Sequence, residues 1–135
     1  MADSSTAPNG SPDAQRIQQW LDEHRITEVE CIIPDMAGQA RGKIVPRHKY
    51  NPAVGLRLPE AVLAMTVPGD YPEQDLTPPA GPDMLLRPDP NTLRPVPWAK
   101  EPTAQIIHDC FTFDGNAVDL SPRNVLRRVL RLYAD

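Results

Sequence analysis

The stretch VECIIPDMAGQARGKIV, residues 29–45, decides the fold class of this chain. Its two ends, residues 29–34 and 40–45, are rich in β-branched side chains, which favour strands. The residues between them, Asp35 to Gly38, have the chemistry of a turn. We therefore predict a β-hairpin, which residues 46–49 close.

A helix is predicted on the N-terminal side of this hairpin. Ser11 can accept a hydrogen bond as the N-cap, and Pro12 suits the first helical turn. Apolar residues then recur at helical spacing until the helix ends near His24. These apolar residues are Ala14, Ile17, Trp20 and Leu21. Residues 1–10 are small and polar, and we interpret them as a disordered tail.

A second helix is predicted at the C-terminal end, where Ser121-Pro122 repeats the Ser-Pro start. Its apolar stripe consists of Val125, Leu126, Val129, Leu130 and Tyr133. Its four arginines are Arg123, Arg127, Arg128 and Arg131. Such a set of cations either binds phosphate or an acidic protein surface, or forms a solvated face or a domain interface.

The middle of the chain is rich in proline, since 13 of the 17 prolines lie between Pro46 and Pro102. Proline cannot donate to a sheet ladder, so the strands here must be short or lie at an edge. We predict strands at residues 84–87, 92–96 and 103–110, turns at 68–72 and 114–116, and an exposed loop at 73–82. Residues 61–67 fit either a short strand or a helical turn. The order of elements predicts an α+β domain over residues 11–120, with a helix packed across a mixed or mostly antiparallel sheet.

Composition excludes several classes of protein. The net charge of −4 argues against a generally basic nucleic-acid-binding protein. No apolar run reaches the length of a membrane span, and the N-terminus lacks the features of a signal peptide. Cys31 and Cys110 lie far apart among apolar residues, so we interpret them as buried, reduced thiols of a cytoplasmic protein.

Local motifs for chemistry are few. The scattered glycines form no phosphate-binding loop, and no pair of histidines or cysteines has zinc spacing. Arg41 and Lys43 share a strand face and either meet an anion or simply face solvent. His108 and Cys110 share a face of their strand, which fits a partly buried histidine better than a reactive site. Asp70, on the loop PGDYP, either binds an amine or only shapes a turn.

Four segments in order resemble the N-terminal part of glutamine-synthetase-family ligases. They are WLDEHRITEVECIIPDMAGQARGKIVPR, LPEAVLAMTVPGDYPE, PDMLLRPDPNTLRPVPW and PTAQIIHDCFTFDGNAVDLSPRNVLRRVL. Within the family they are most similar to the γ-glutamylpolyamine (glutamylputrescine) synthetase-like branch. The resemblance implies a β-grasp (ubiquitin-like) fold, and it implies that residues 121–135 form a linking helix that leads to a catalytic domain.

The resemblance also implies a division of labour. ATP and Mg²⁺ or Mn²⁺ would be held by the catalytic domain, so we expect no cofactor and no metal on this chain, and no activity from it alone. In the family's ring-shaped homo-oligomer, this domain completes the active site of the adjacent subunit and supplies an aspartate for the ammonium or amine. The matching positions here are Asp70 and, at the start of DMLLRPD, Asp83. We expect no nucleic acid and no membrane among the partners.

Three hypotheses remain open from the sequence. The first is the N-terminal domain of such a ligase. The second is a stand-alone interaction module without catalysis, and the third is a small binding protein of unrelated function on a ubiquitin-like scaffold.

Overall fold

A computed structural model describes residues 10–72 and 81–134. Within these residues, six strands form a mixed sheet that two helices accompany, which confirms the α+β prediction. The helices are α1 (Pro12–Glu23) and α2 (Pro122–Ala134). The strands are β1 (Glu28–Pro34), β2 (Ala40–Pro46), β3 (Leu56–Pro59), β4 (Asp83–Pro88), β5 (Arg94–Pro95) and β6 (Thr103–Phe111).

The sheet is built around β6, in the order β2-β1-β6-β4-β3, and β5 also pairs with β6. β1 runs parallel to β6, and every other pairing is antiparallel. The predicted hairpin is confirmed as β1 and β2, which pair from Glu28↔Pro46 to Pro34↔Ala40. Gly42 allows this pairing to be close, because a Cβ there would lie 1.9 Å from the carbonyl oxygen of Cys31.

One face of the sheet carries the core. Along β1 the buried residues alternate with half-buried ones, as expected for a strand with one covered face. Helix α1 covers the β1–β6 half of this face with Ile17 and Leu21. A second cluster fills the β4 half, where Leu63, Met84 and Leu86 are at most 1% exposed.

The start of α1 follows the sequence prediction. The Ser11 hydroxyl accepts a hydrogen bond from the Ala14 amide at 3.1 Å, and Pro12 is the first helical residue. His24 caps the C-terminus of α1, where the prediction ended the helix. Ser11 and Pro12 therefore fix the entry of the chain into the fold.

The proline-rich middle differs from the prediction at two places. The sequence analysis missed β3. Of the two alternatives for residues 61–67, the structure shows the helical turn, because Glu60–Ala64 is a 3-10 helix. The strand predicted at 92–96 is only Arg94–Pro95, because Asp89 caps a 3-10 helix that includes Thr92. The turn at 68–72 is present.

Proline nevertheless limits the strands as expected. Each of the first five strands ends at a proline, whereas β6, with none, is the longest at nine residues. The predicted loop at 73–82 lies outside the described residues except for 81–82, and the predicted tail lies outside them except for Gly10.

Candidate functional site

Asp70 lies on an exposed turn that its backbone holds in place. The Thr66 amide donates to the Asp70 carbonyl at 2.8 Å, and the Asp70 amide donates to the Thr66 hydroxyl at 3.1 Å. The Gly69 amide donates to the Thr66 carbonyl at 2.9 Å. Among the described residues, the Asp70 carboxylate has no hydrogen-bond or ion-pair partner. An exposed carboxylate on a fixed backbone can accept hydrogen bonds from a cationic amine.

The hairpin turn between β1 and β2 supports this turn through Arg41. The Arg41 Nε donates to the Asp35 carboxylate at 2.8 Å, and its Nη2 donates to the Thr66 carbonyl at 2.8 Å. The backbone adds one more link, from the Met36 amide to the Leu63 carbonyl at 2.9 Å. The Asp70 turn is thus attached to the edge of the sheet.

Asp35 is a buried carboxylate with its oxygens satisfied. It is 1% exposed and also accepts hydrogen bonds from the amides of Ala37 and Gln39 at 2.9 and 2.8 Å. Burial alone would raise the pKa of Asp35, but these hydrogen bonds and the Arg41 charge outweigh it and lower the pKa below its usual value. Asp35 therefore stays ionised and fixes the Arg41 guanidinium.

Asp83, the second candidate, has a different environment. It is exposed at the start of β4, opposite Pro59 in the sheet register. It lines a shallow depression with Glu60, Phe113 and Asp114. No contact between described residues joins Asp83 to Asp70, so the structure does not bring the two candidates into one cluster.

Lys43 and Arg41, on β2, each donate hydrogen bonds to other described residues. The Lys43 ammonium donates to the Arg57 carbonyl at 3.0 Å. The Nε and Nη2 of Arg41 donate to Asp35 and Thr66. Their role as an anion site is therefore not supported by these contacts. The sequence analysis missed the Arg41–Thr66 contact because the two residues are 25 positions apart.

A second charged cluster fixes the first turn of α2. Arg123 bonds Asp109 at 2.9 Å and Asp89 at 2.5 Å, and Arg127 bonds Asp109 at 2.5 Å. Burial would raise the pKa of Asp109, but the hydrogen bonds from Arg127 and Arg123 lower it below its usual value. Asp89 therefore has a structural role, and two of the four arginines, Arg123 and Arg127, anchor the helix.

Beyond that first turn, α2 is not covered by the part of the chain that the structure describes. None of its residues is buried. The predicted stripe faces solvent, with exposed fractions from 38% to 86% at Val125, Leu126, Val129, Leu130 and Tyr133. With Met36 and Leu120, the start of the stripe lines an apolar groove. Apolar patches of this kind are typical of interaction surfaces.

The remaining titratable residues of interest are buried in the core. His108 is 1% exposed, and its Nε2 lies 3.4 Å from the Tyr50 hydroxyl. Burial lowers the pKa of His108 to about 4 and raises the pKa of Cys31 to about 12 and that of Cys110 to about 11. Both cysteines are free and buried, as predicted. Thiols with such high pKa values are inert.

Residues 10–72 and 81–134 contain neither a metal-binding group of side chains nor a membrane-spanning helix. They contain no group of three or more His, Cys, Asp or Glu residues that could hold a metal ion. None of their helices has the length and apolar character needed to span a bilayer.

Comparison with known proteins gives the family. Human lengsin is 31% identical over an alignment of 137 positions, which covers 96% of this chain. A glutamate–isopropylamine ligase from a Pseudomonas species is 30% identical over an alignment of 122 positions, which covers 85% of the chain. The chain is a glutamine synthetase-like N-terminal domain. No family model matches it.

Solved structures share the fold. The chain superposes on a GmaS/ADP complex with a TM-score of 0.69 and 24% identity over 87% of its length. It superposes equally well, at 0.69 and 23% identity over 82%, on a novel glutamine synthase homolog. The chain spans about a quarter of its relatives, namely 27% of human lengsin, 26% of the ligase and 25% of the GmaS chain.

Proposed function

We propose that this chain is the N-terminal domain of an ATP-dependent ligase that joins glutamate to ammonia or to a larger amine such as a polyamine. The observation that carries the proposal is the 30% identity to the glutamate–isopropylamine ligase across 85% of the chain. That relative acts, by its name, on glutamate and an alkylamine. The GmaS/ADP complex, which has the same fold over 87% of this chain, supports a nucleotide-dependent reaction.

In this proposal Asp70 helps to bind the amine in the active site of an adjacent subunit. Its carboxylate is exposed, and its turn is attached to the hairpin by Arg41. A carboxylate held there attracts the ammonium form of the amine and orients it by hydrogen bonds. Asp83 is the second candidate for the same role.

ATP and Mg²⁺ or Mn²⁺ belong to the rest of the enzyme in this proposal. The described residues include no group of three or more side chains that could hold a metal ion. No step of the reaction is therefore assigned to a metal or nucleotide on this chain. What its residues supply is a binding group for the amine and the surfaces that position it, so we expect the chain alone to be inactive.

The partners in this proposal are the chain's own catalytic domain and the adjacent subunits of a ring-shaped homo-oligomer. Residues 11–120 form the domain unit, and residues 121–135 lead to the catalytic domain. The uncovered stripe of α2 supports this arrangement, because its base is fixed by Arg123 and its apolar side faces away from the core. The free, buried cysteines favour a cytoplasmic location.

The same uncovered stripe is also what a stand-alone interaction module would present. Such a module would dock a partner through α2 and carry out no catalysis. The ligase proposal differs because it requires an exposed carboxylate of this chain to contribute to binding of the amine and not to binding of the glutamate.

The experiment is a chimera in which this chain replaces the matching 122-residue region of the glutamate–isopropylamine ligase. Phosphate release is measured with glutamate, ATP and either ammonia, isopropylamine or putrescine. We expect a ligase lacking the region to be inactive, the chimera to turn over with at least one amine, and this chain alone to be inactive. A chimera that assembles and stays inactive with all three amines would favour the interaction module, and turnover by the chain alone would contradict the division of labour.

A further inference from the structure

The contacts around Arg41 form a continuous path from the sheet to Asp70. At one end, Asp35 is 1% exposed and accepts three hydrogen bonds, two from backbone amides of its own turn. It cannot move without breaking the hairpin turn. At the other end, Thr66 exchanges two hydrogen bonds with Asp70.

Arg41 is the side chain that joins these two ends. Its Nε and Nη2 each donate at 2.8 Å, one to Asp35 and the other to the Thr66 carbonyl. Its side chain is only 20% exposed, so water competes weakly for these groups. A planar guanidinium can hold two acceptors at a fixed angle, which a lysine ammonium on a flexible stem cannot do.

We propose that Arg41 is a positioning residue, which fixes the turn of residues 66–70 and so holds the Asp70 carboxylate where the amine binds. The inference rests on the proposed function of Asp70. It assigns Arg41 no contact with substrate. Its effect passes through the Thr66 carbonyl to the backbone that carries Asp70.

The first test uses amide hydrogen exchange in this chain. Arg41→Met removes both donors, while the Met36–Leu63 backbone link remains. We expect exchange at Thr66, Gly69 and Asp70 to become about tenfold faster, which corresponds to the loss of about 1.4 kcal/mol of local stability. Because Arg41→Met also leaves the buried Asp35 carboxylate without its cation, exchange along β6 is measured as the reference for any global loss of stability. Unchanged exchange at Thr66 and Asp70 would overturn the inference.

Lys43→Met is the matched control. Lys43 lies on the same strand, two residues further on, and donates at 3.0 Å to the Arg57 carbonyl instead of the Asp70 turn. We expect it to leave exchange at Thr66 and Asp70 unchanged. Arg41→Lys is the second variant, which keeps the charge if Arg41→Met does not fold. If Arg41→Lys protects the turn as well as arginine does, the geometric part of the inference is wrong.

The second test uses the chimera with the ligase and separates this inference from the function. We expect Arg41→Met to raise the KM for the amine about tenfold and to leave the KM for glutamate unchanged. If Asp70→Asn raises the amine KM and Arg41→Met does not, the positioning role is wrong. If neither variant changes the amine KM although the turn exchanges faster, the proposed role of Asp70 fails, and with it the assignment of Arg41 as a positioning residue for the amine.

Discussion

At the scale of single residues, His108 is a titratable group held in the core of the fold. It lies in β6 with 1% of its surface exposed, and its Nδ1 lies 3.2 Å from the Ile106 carbonyl. Burial lowers the pKa of His108 to about 4, although the Ile106 carbonyl and the charge of Asp109 act in the opposite direction. The folded protein therefore keeps this histidine neutral where an unfolded chain would protonate it.

This pKa predicts a loss of stability in mild acid. Between pH 6.5 and 4 the unfolded state binds more protons than the folded state, so the free energy of unfolding falls as the pH falls through this window. From pH 7 to pH 5 the loss due to His108 should be about 2 kcal/mol. Urea unfolding at the two pH values measures it.

His108→Gln should remove most of that pH dependence, and His48→Gln, at an exposed position, should retain it. The carboxylates do not confuse the result, because Asp35 and Asp109 have lowered pKa values and lose their contribution only below about pH 4. A His108→Gln protein with the same loss between pH 7 and 5 would show that another group titrates.

At the scale of elements, α2 is attached at its base by charge. Asp109 and Asp89 have side chains only 12% and 16% exposed, and Arg123 bonds both. Arg123→Met would leave two poorly solvated carboxylates with Arg127 as their remaining partner. We expect the free energy of unfolding to fall by about 2–4 kcal/mol, as when one partner of a buried pair is removed.

Arg128→Met is the control for this prediction. Arg128 pairs with Asp119 at 3.1 Å, but the two side chains are 54% and 88% exposed. Such a surface pair contributes less than about 1 kcal/mol. Equal losses for Arg123→Met and Arg128→Met in chemical unfolding would contradict the view that the Asp89–Asp109 cluster anchors α2.

The elements that the sequence predicted well are those with local signals. The hairpin over residues 28–46 and the Ser-Pro starts of both helices depend on residues that are neighbours in the chain. β3 was missed because LRLP is short and ends in proline, which leaves no local strand signal. Its strand conformation depends on its pairing with β4, which is distant in the sequence. The strand at 92–96 was predicted too long because the Asp89 cap, a local competitor, was overlooked.

The site was predicted less completely than the fold. The PGDYP loop left Asp70 open as either an amine-binding or a turn-forming residue, since a single aspartate in a turn has no distinctive pattern, and only the family resemblance favoured the amine. Arg41 was noticed as a cation, but its acceptor on Thr66 is 25 residues away and no periodicity predicts such a contact. The Arg123 cluster depends likewise on Asp89, 34 residues away in the chain.

At the scale of the whole molecule, the uncovered stripe of α2 determines how the isolated chain should behave. Leu126 and Leu130 are 57% and 55% exposed on one side of the helix. We expect the chain to self-associate, because a contiguous apolar patch favours burial against another copy. Light scattering across a dilution series measures this, and a monomer at all concentrations would contradict it.

The double variant Leu126→Gln with Leu130→Gln should lower the average mass at a given concentration. Its free energy of unfolding should change by less than about 0.5 kcal/mol per site, because neither side chain is buried in this fold. Val54→Gln, at a residue 59% exposed outside the stripe, is the matched control and should leave the mass unchanged. An equal effect of Val54→Gln would show that the stripe is not the associating surface.

The most direct test of the central claim is the KM for the amine in the ligase chimera carrying Asp70→Asn. Asparagine keeps the size of the side chain and removes its charge, so the backbone contacts with Thr66 are retained. We expect the amine KM to rise about tenfold or more with the KM for glutamate unchanged, and we expect no change for Asp13→Asn, which alters an exposed aspartate in the first turn of α1. If Asp70→Asn leaves both the amine KM and kcat unchanged, Asp70 does not bind the amine and its proposed role is wrong.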